Sequence, residues 1–265
     1  MDHRIHFTET LRQALKGFVA SDQYRIQFTA QRIYPAFDPE MIKEMALLSF
    51  DMDDRNFLRH AQKMLQSCID AEQFLVQAIA GTAMVLGDWW ASDQLNYQAV
   101  ELGSQRLLDL VFEVADQRLL LGHGPSNPHT IMLSMATESR HSLGLAVMGE
   151  VFHWHGWNVI ASPNMDHHSL LKRLQQDWVD VLGFSLADDR DIEGIQKMVA
   201  SCRMASRNRQ LWVMIGGPQA VLRPQLAAEV GADAACSNAS QAQAMALARV
   251  RQLTHPINRA TESRG

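Results

Sequence analysis

The sequence predicts an α/β chain, an N-terminal helical bundle followed by a doubly wound parallel-sheet domain. Three observations carry that prediction. From Asp38 to about residue 118, apolar residues recur at helical spacing and no β-rich run interrupts them. Residues 116–129, DQRLLLGHGPSNPH, hold two Gly and two Pro and break the pattern. Beyond them, short and nearly all-apolar runs alternate with amphipathic segments, as expected of parallel strands covered on both faces. The boundaries that follow are an arm over 1–36, a helical bundle over 37–118, a linker over 119–130, the sheet domain over 131–255 and a tail over 256–265.

The elements follow in chain order. The arm holds one amphipathic helix candidate, 8–20. Asp38-Pro39-Glu40 is a helix start, with Asp as N-cap and Pro at the first helical position. Asp53-Asp54 opens a second helix, a third spans 71–90 and a fourth 93–112, joined by short connections as in a compact bundle. The strand candidates are 131–136, 158–161, 179–185, 211–215 and 232–235. The helix candidates between and after them are 143–154, 166–176, 191–207, 218–230 and 239–253.

With 265 residues, 47% of them hydrophobic, the chain can bury a core in each of two modest domains. A net charge of -5 and a pI near 6.1 argue against a protein held to nucleic acid by bulk charge, so any DNA contact is expected to be indirect. Cys68, Cys202 and Cys236 are far apart and form no CxxC, which fits a reducing cytoplasm better than a disulfide framework or a zinc site. No apolar run approaches the roughly 18 residues of a membrane span. The opening MDHRIHFTETLRQ lacks a signal-peptide core. The expectation is a soluble cytoplasmic protein without a membrane partner.

Function is expected where the strands end. In IMLSMATESRHSLG (131–144) an apolar strand gives way to a polar loop, Glu138-Ser139-Arg140-His141, and a helix opens at Ser142-Leu143-Gly144. Ser185 and Leu186 close the third strand, Gly216-Gly217 the fourth, and Ser237 follows the fifth. Ligands of doubly wound sheets sit at the carboxyl ends of the strands. Singly, each feature has a plainer reading: a Gly pair as a tight turn, a Ser as a helix cap, a loop His in solvent. Together they mark one edge of one sheet.

These residues resemble the cobalamin-binding signature D-x-H-x-x-G, then about 40 residues, S-x-L, then about 26–28 residues, G-G. The chain shows Ser139-x-His141-x-x-Gly144, Ser185-Leu186-Ala187 and Gly216-Gly217, with 145–184 and 188–215 filling the gaps. The resemblance implies a flavodoxin-like fold in which His141 ligates cobalt from below, replacing the cofactor's dimethylbenzimidazole. The displaced tail would pass Gly144, be lined by Ser185 and run past Gly216-Gly217. LGDWWASDQL (86–95) resembles the cap of helical cobalamin modules, which makes Trp89 and Trp90 the residues over the upper corrin face. Their plainer reading is bundle core.

The chain departs from the family pattern at two places. Ser139 stands where the family has the Asp that holds the ligand His, with Glu138 the carboxylate next door. Ala91 and Val100-Glu101 stand where light-responsive cobalamin repressors carry His residues, leaving His60, His123 and His129 as upper-ligand candidates. There is no room for a barrel domain and no helix-turn-helix at the N-terminus, so neither a mutase nor a DNA-binding repressor is expected. From residue 38 to 253 the chain is most similar to AerR/PpaA-type antirepressors. That resemblance implies a non-enzymatic photoreceptor, light- and cobalamin-responsive, acting on a CrtJ/PpsR-type repressor of photosynthesis genes. It leaves open whether the cobalamin is the hydroxo-, adenosyl- or methyl- form. The rivals are a haem sensor of the same fold, a corrinoid carrier in methyl transfer and a plain interaction module.

Overall fold

The computed structural model describes residues 36–120, 128–135, 142–162, 166–186, 192–223 and 225–254. The chain divides into two compact units, Met1–His123 and Gly124–Gly265.

The first unit is helical throughout its described residues: α1 (Pro39–Ser49), α2 (Asp54–Ser67), α3 (Ala71–Gln73), a π-helical stretch (Phe74–Ile79), α4 (Ala80–Ala91) and α5 (Tyr97–Leu120). Aspartates set the starts. Asp38 accepts from Glu40 N (3.0 Å), Asp53 from Arg55 N (3.1 Å) and Asp70 from Gln73 N (2.9 Å), each satisfying an N–H that the helix leaves orphaned. On α2 the buried residues Phe57, His60, Ala61, Met64 and Leu65 fall on one face at three- and four-residue spacing.

The third and fourth helices differ from expectation. The third expected helix contains the π stretch, whose i→i+5 bonding breaks the 3.6-residue period on which the expectation rests. The fourth starts at Tyr97, since Asp93 has φ +56 and ends the preceding helix, while Asn96 accepts from Ala99 N (2.9 Å) and starts the next. It then runs on to Leu120. Contrary to the expectation from apolar runs, Ala71–Ala91 is long and apolar enough to cross a membrane by length and composition. Glu72 and Gln73 are nevertheless buried in the helical unit, along with Phe74, Leu75 and Ile79, as suits a core helix.

The second unit is a five-stranded parallel sheet, order β2-β1-β3-β4-β5. Its elements are β1 (Thr130–Met135), α6 (Leu143–Trp154), β2 (Asn158–Ser162), α7 (His167–Gln176), β3 (Val181–Ser185), α8 (Ile192–Ala205), β4 (Trp212–Gly216), α9 (Pro218–Leu222), α10 (Leu226–Glu229), β5 (Ala234–Ala235) and α11 (Ala239–Thr254). Strand side chains alternate between two buried clusters, one per face. Leu182, Phe184, Val213 and Ile215 meet Leu170, Ile195 and Val199 on one side. Val181, Trp212 and Met214 meet Phe152, Trp157 and Ala246 on the other. This is the flavodoxin-like arrangement, covered on both faces. The one helix expected over 218–230 is instead two short ones. Arg223, which precedes Pro224, takes φ -134 and ψ 75, out of the helical region as a following proline demands.

Candidate cofactor site at the carboxyl edge of the sheet

From β1 the chain crosses to β2 on one side and then to β3 on the other, so the strand order reverses between β1 and β3. Ligands of such sheets bind at that switch point, outside the carboxyl ends of the strands. The last residues of the three central strands lie abreast, Met135 beside Ser185 and Ser185 beside Gly216. The motifs that are far apart in sequence therefore meet at one place.

Glu138, Ser139, Arg140 and His141 lie outside the described residues, as does His123. The described chain stops at Met135 and resumes at Ser142, so the loop with His141 is anchored at its start next to Ser185. Ser142 holds the N-cap position of α6, its carbonyl accepting from Ala146 N (2.9 Å) while its side chain makes no capping bond. Leu143 is half-buried. Gly144 is exposed, and a Cβ built on it meets no described atom within 4 Å. Packing among the described residues therefore gives no reason for a glycine at 144.

At 217 the protein itself supplies the reason. Gly217 has φ +95 and ψ 176, a conformation open essentially to glycine alone. Its built Cβ would lie 2.5 Å from the Leu186 carbonyl oxygen and 3.1 Å from the Leu186 nitrogen. Leu186 N donates to the Gly216 carbonyl (2.8 Å), pinning the two loops together. Gly216 is buried and its Cβ position meets only ordinary contacts, Cys236 O at 3.8 Å and Met148 Cε at 3.9 Å. Met148 and Cys236 are thus neighbours of the Gly pair that sequence spacing did not reveal.

Ser185 is half-buried, and its hydroxyl makes no hydrogen bond among the described residues. Leu186 is fully buried. Ser237 lies on the same edge, after β5, but is engaged: its N–H (2.6 Å) and hydroxyl (2.8 Å) both donate to Gln241 Oε1 at the start of α11. Among the described residues, the uncommitted Ser185 hydroxyl, the exposed Gly144 and the Gly216-Gly217 turn make up the candidate cradle at the carboxyl edge of the sheet.

Two of the three histidines raised as upper ligands are described, and both are engaged. His60 is buried between α1 and α2, its Nε2 2.9 Å from the Met41 carbonyl and its Nδ1 3.5 Å from Glu44. His129 lies at the amino end of β1, beside Asp180 (3.7 Å) and the Trp157 ring (centroids 5.6 Å apart), at the other end of the strand from the switch point. No group of three or more His, Cys, Asp or Glu able to hold a metal occurs among the described residues. In the helical unit Trp89 is half-buried, its carbonyl accepting from Gln94 N (2.7 Å), and Trp90 is 47% exposed, so neither is a bundle-core residue. All three cysteines are buried, and burial pushes Cys68 and Cys202 up to about 12 and Cys236 up to about 11. That excludes a thiolate at the site near neutral pH.

Comparison with curated proteins finds no match. The family model described as B12 binding domain matches residues 130–248. Among solved structures, the monomethylamine corrinoid protein of Methanosarcina barkeri superposes with a TM-score of 0.62 at 13% identity, covering 79% of this chain and 96% of that one. A cobalamin-binding protein from Desulfitobacterium hafniense DCB-2 matches at TM-score 0.42 and 15% identity, covering 79% and 97%. The methanol:cobalamin methyltransferase complex MtaBC of M. barkeri matches at 0.34 and 14%, covering 77% and 80%. Only the first is close enough to bear on the fold. Its likeness bears on the fold alone, helices followed by a parallel sheet covered by helices. The reversal of strand order and the Gly216-Gly217 turn both fall within residues 130–248, the stretch that is similar to the B12 binding domain.

Proposed function

We propose that the protein binds cobalamin with the cofactor's own base displaced, His141 serving as lower ligand, and that it acts as a light- and cobalamin-responsive regulator. Its target on this reading is a CrtJ/PpsR-type repressor protein, for which it is the antirepressor; the chain itself catalyses no reaction. The observation that carries the cofactor reading is the convergence of three separated motifs. The strand that leads into the His141 loop ends beside Ser185, and Ser185 pairs with Gly216.

When bound, cobalamin would supply a cobalt ion that an imidazole can ligate and, in alkylated forms, a photolabile cobalt–carbon bond. His141 offers that imidazole, a suitable ligand for a borderline transition metal. Ser139 gives it a hydroxyl neighbour in place of the carboxylate that raises ligand basicity elsewhere in the family. Ser185 contributes its uncommitted hydroxyl to the tail, and the side-chain-free surface of exposed Gly144 leaves room for it. Trp90, exposed on the helical unit, is the residue that the family resemblance assigns to the upper corrin face. Light acts as a switch only if the two ligand states favour two arrangements of the protein with different free energies.

A corrinoid carrier in methyl transfer is the second reading, favoured by likeness in fold to the M. barkeri corrinoid protein over 96% of that chain. Ser139 speaks against it, because a tuned methyl carrier relies on the carboxylate. The test is an absorption spectrum of the purified protein with cobalamin or haem, dark and illuminated, beside His141→Ala. Retained corrin absorption that shifts in His141→Ala and changes with light supports the regulator. Retained corrin without a light response, together with methyl exchange by an added methyltransferase, supports the carrier. A Soret band without corrin uptake points to a haem sensor.

A further inference from the structure

At the amino edge of the sheet, away from the cofactor cradle, Trp178 is 55% exposed just before β3 and Met204 is 79% exposed at the end of α8. Exposed apolar side chains mark an interaction site when they are grouped rather than scattered singly. The two segments are knitted together. Arg207 N–H donates to the Leu174 carbonyl (2.9 Å), its guanidinium to the Gln176 carbonyl (3.4 Å), and the Asn208 amide to the Val179 carbonyl (3.0 Å). Arg209 lies on the same turn and donates to the Met204 carbonyl (3.2 Å). The Trp178 indole N–H is held by Asp180 Oδ1 (3.1 Å), which fixes the ring.

The charges are as telling as the apolar groups. Several cations of this unit have carboxylate partners, Arg173 with Asp177, Lys197 with Glu193, Arg203 with Asp233 and Arg223 with Glu229, while exposed Lys172 has none among the described residues. Arg207 and Arg209 are exposed and bond only to backbone carbonyls among the described residues. In a chain of net charge -5, two arginines without counter-charge flank a fixed Trp and a Met. Trp, Met and Arg are residue types enriched in protein interfaces, and Trp and Arg dominate their hot spots.

We propose that this Trp178–Met204–Arg207–Arg209 patch docks an acidic peptide segment of a protein partner, with an apolar residue against Trp178 and Met204 and carboxylates on the two guanidiniums. Guanidinium groups grip carboxylates through paired N–H donors. A nucleic acid fits less well, because a phosphate chain needs a longer cationic stripe than two arginines supply. The patch is small, so the contact is a weak, salt-sensitive one.

The test is fluorescence anisotropy with the full-length protein and a short labelled peptide of glutamate pairs separated by leucines, beside a lysine-for-glutamate control and a labelled DNA duplex. The proposal expects the acidic peptide alone to bind, more weakly as salt rises. Binding should fall about tenfold or more both in the double variant Arg207→Glu with Arg209→Glu and in Trp178→Ala. Trp178→Phe, which keeps an aromatic face, should retain most of it, and circular dichroism should match the parent in every variant. Absence of acidic-peptide binding, equal binding by the variants, or binding of the duplex in its place overturns the proposal. Cofactor uptake plays no part in the readout.

Discussion

Gly217 joins the residue scale to the site. Its backbone lies in a region that costs any other residue about 1–3 kcal/mol, and its missing side chain lets the Leu186 backbone approach. Gly217→Ala is expected to lower stability by at least that order and to weaken cofactor uptake, since Leu186, next to Ser185, must move. Urea denaturation and a cobalamin titration measure the two effects; a variant as stable as the parent would show that the close approach is dispensable. Paired glycines after a strand were legible as a demand for space, but the sequence does not say what fills it. At 217 the filler is a backbone 31 positions away in the chain (217 − 186), which local pattern does not reach. The cysteines give a second residue-scale prediction. Their thiols are held protonated by burial, so below about pH 9, the ordinary value, this contribution to stability is fully present, and it is lost as pH rises towards about 11–12. Thiol-specific reagents at neutral pH should label the native protein slowly and the denatured protein fast. Fast native labelling would mean that the thiols are accessible.

Among elements, capping was the clearest signal in the sequence. Asp38, Asp53 and Asp166 each begin a helix within a residue of the expected start, because a cap depends on a few neighbouring atoms. Apolar runs located all five strands for a similar reason, each strand's burial being written in its own composition. Elements shaped by distant contacts were not legible. The π stretch before α4 and the late start of α5 at Tyr97 belong to this group. The packing at Gly103 is of the same kind. A Cβ there would lie 2.7 Å from Ser49 Oγ and 2.8 Å from Leu86 Cδ1, both buried, so α5 approaches α1 and α4 through that glycine. Gly103→Val is expected to cost about 1–3 kcal/mol by overpacking, read from the urea midpoint. An unchanged midpoint would mean that the helices can separate without loss.

For the whole molecule, the order of sheet strands turns a list of motifs into a place. Motif spacing alone brought His141, Ser185 and Gly216-Gly217 into one hypothesis, and the strand order β2-β1-β3-β4-β5 puts the ends of their strands side by side. The domain match over 130–248 agrees with that position, while the His141 loop itself is legible only from sequence. If the cradle binds cobalamin in the folded state alone, ligand at about 100 times Kd should stabilise the protein by about 2.7 kcal/mol. A thermal midpoint unmoved by cobalamin would contradict binding linked to folding.

The most direct measurement is the absorption spectrum of the cobalamin-loaded protein set against that of His141→Ala, in the dark and after illumination. The account predicts a corrin spectrum that stays with the protein through gel filtration, and a band shift on substitution that marks loss of the imidazole ligand. A His141→Ala spectrum identical to the parent's, with equal retention of corrin, would contradict the lower-ligand assignment on which the proposed function rests.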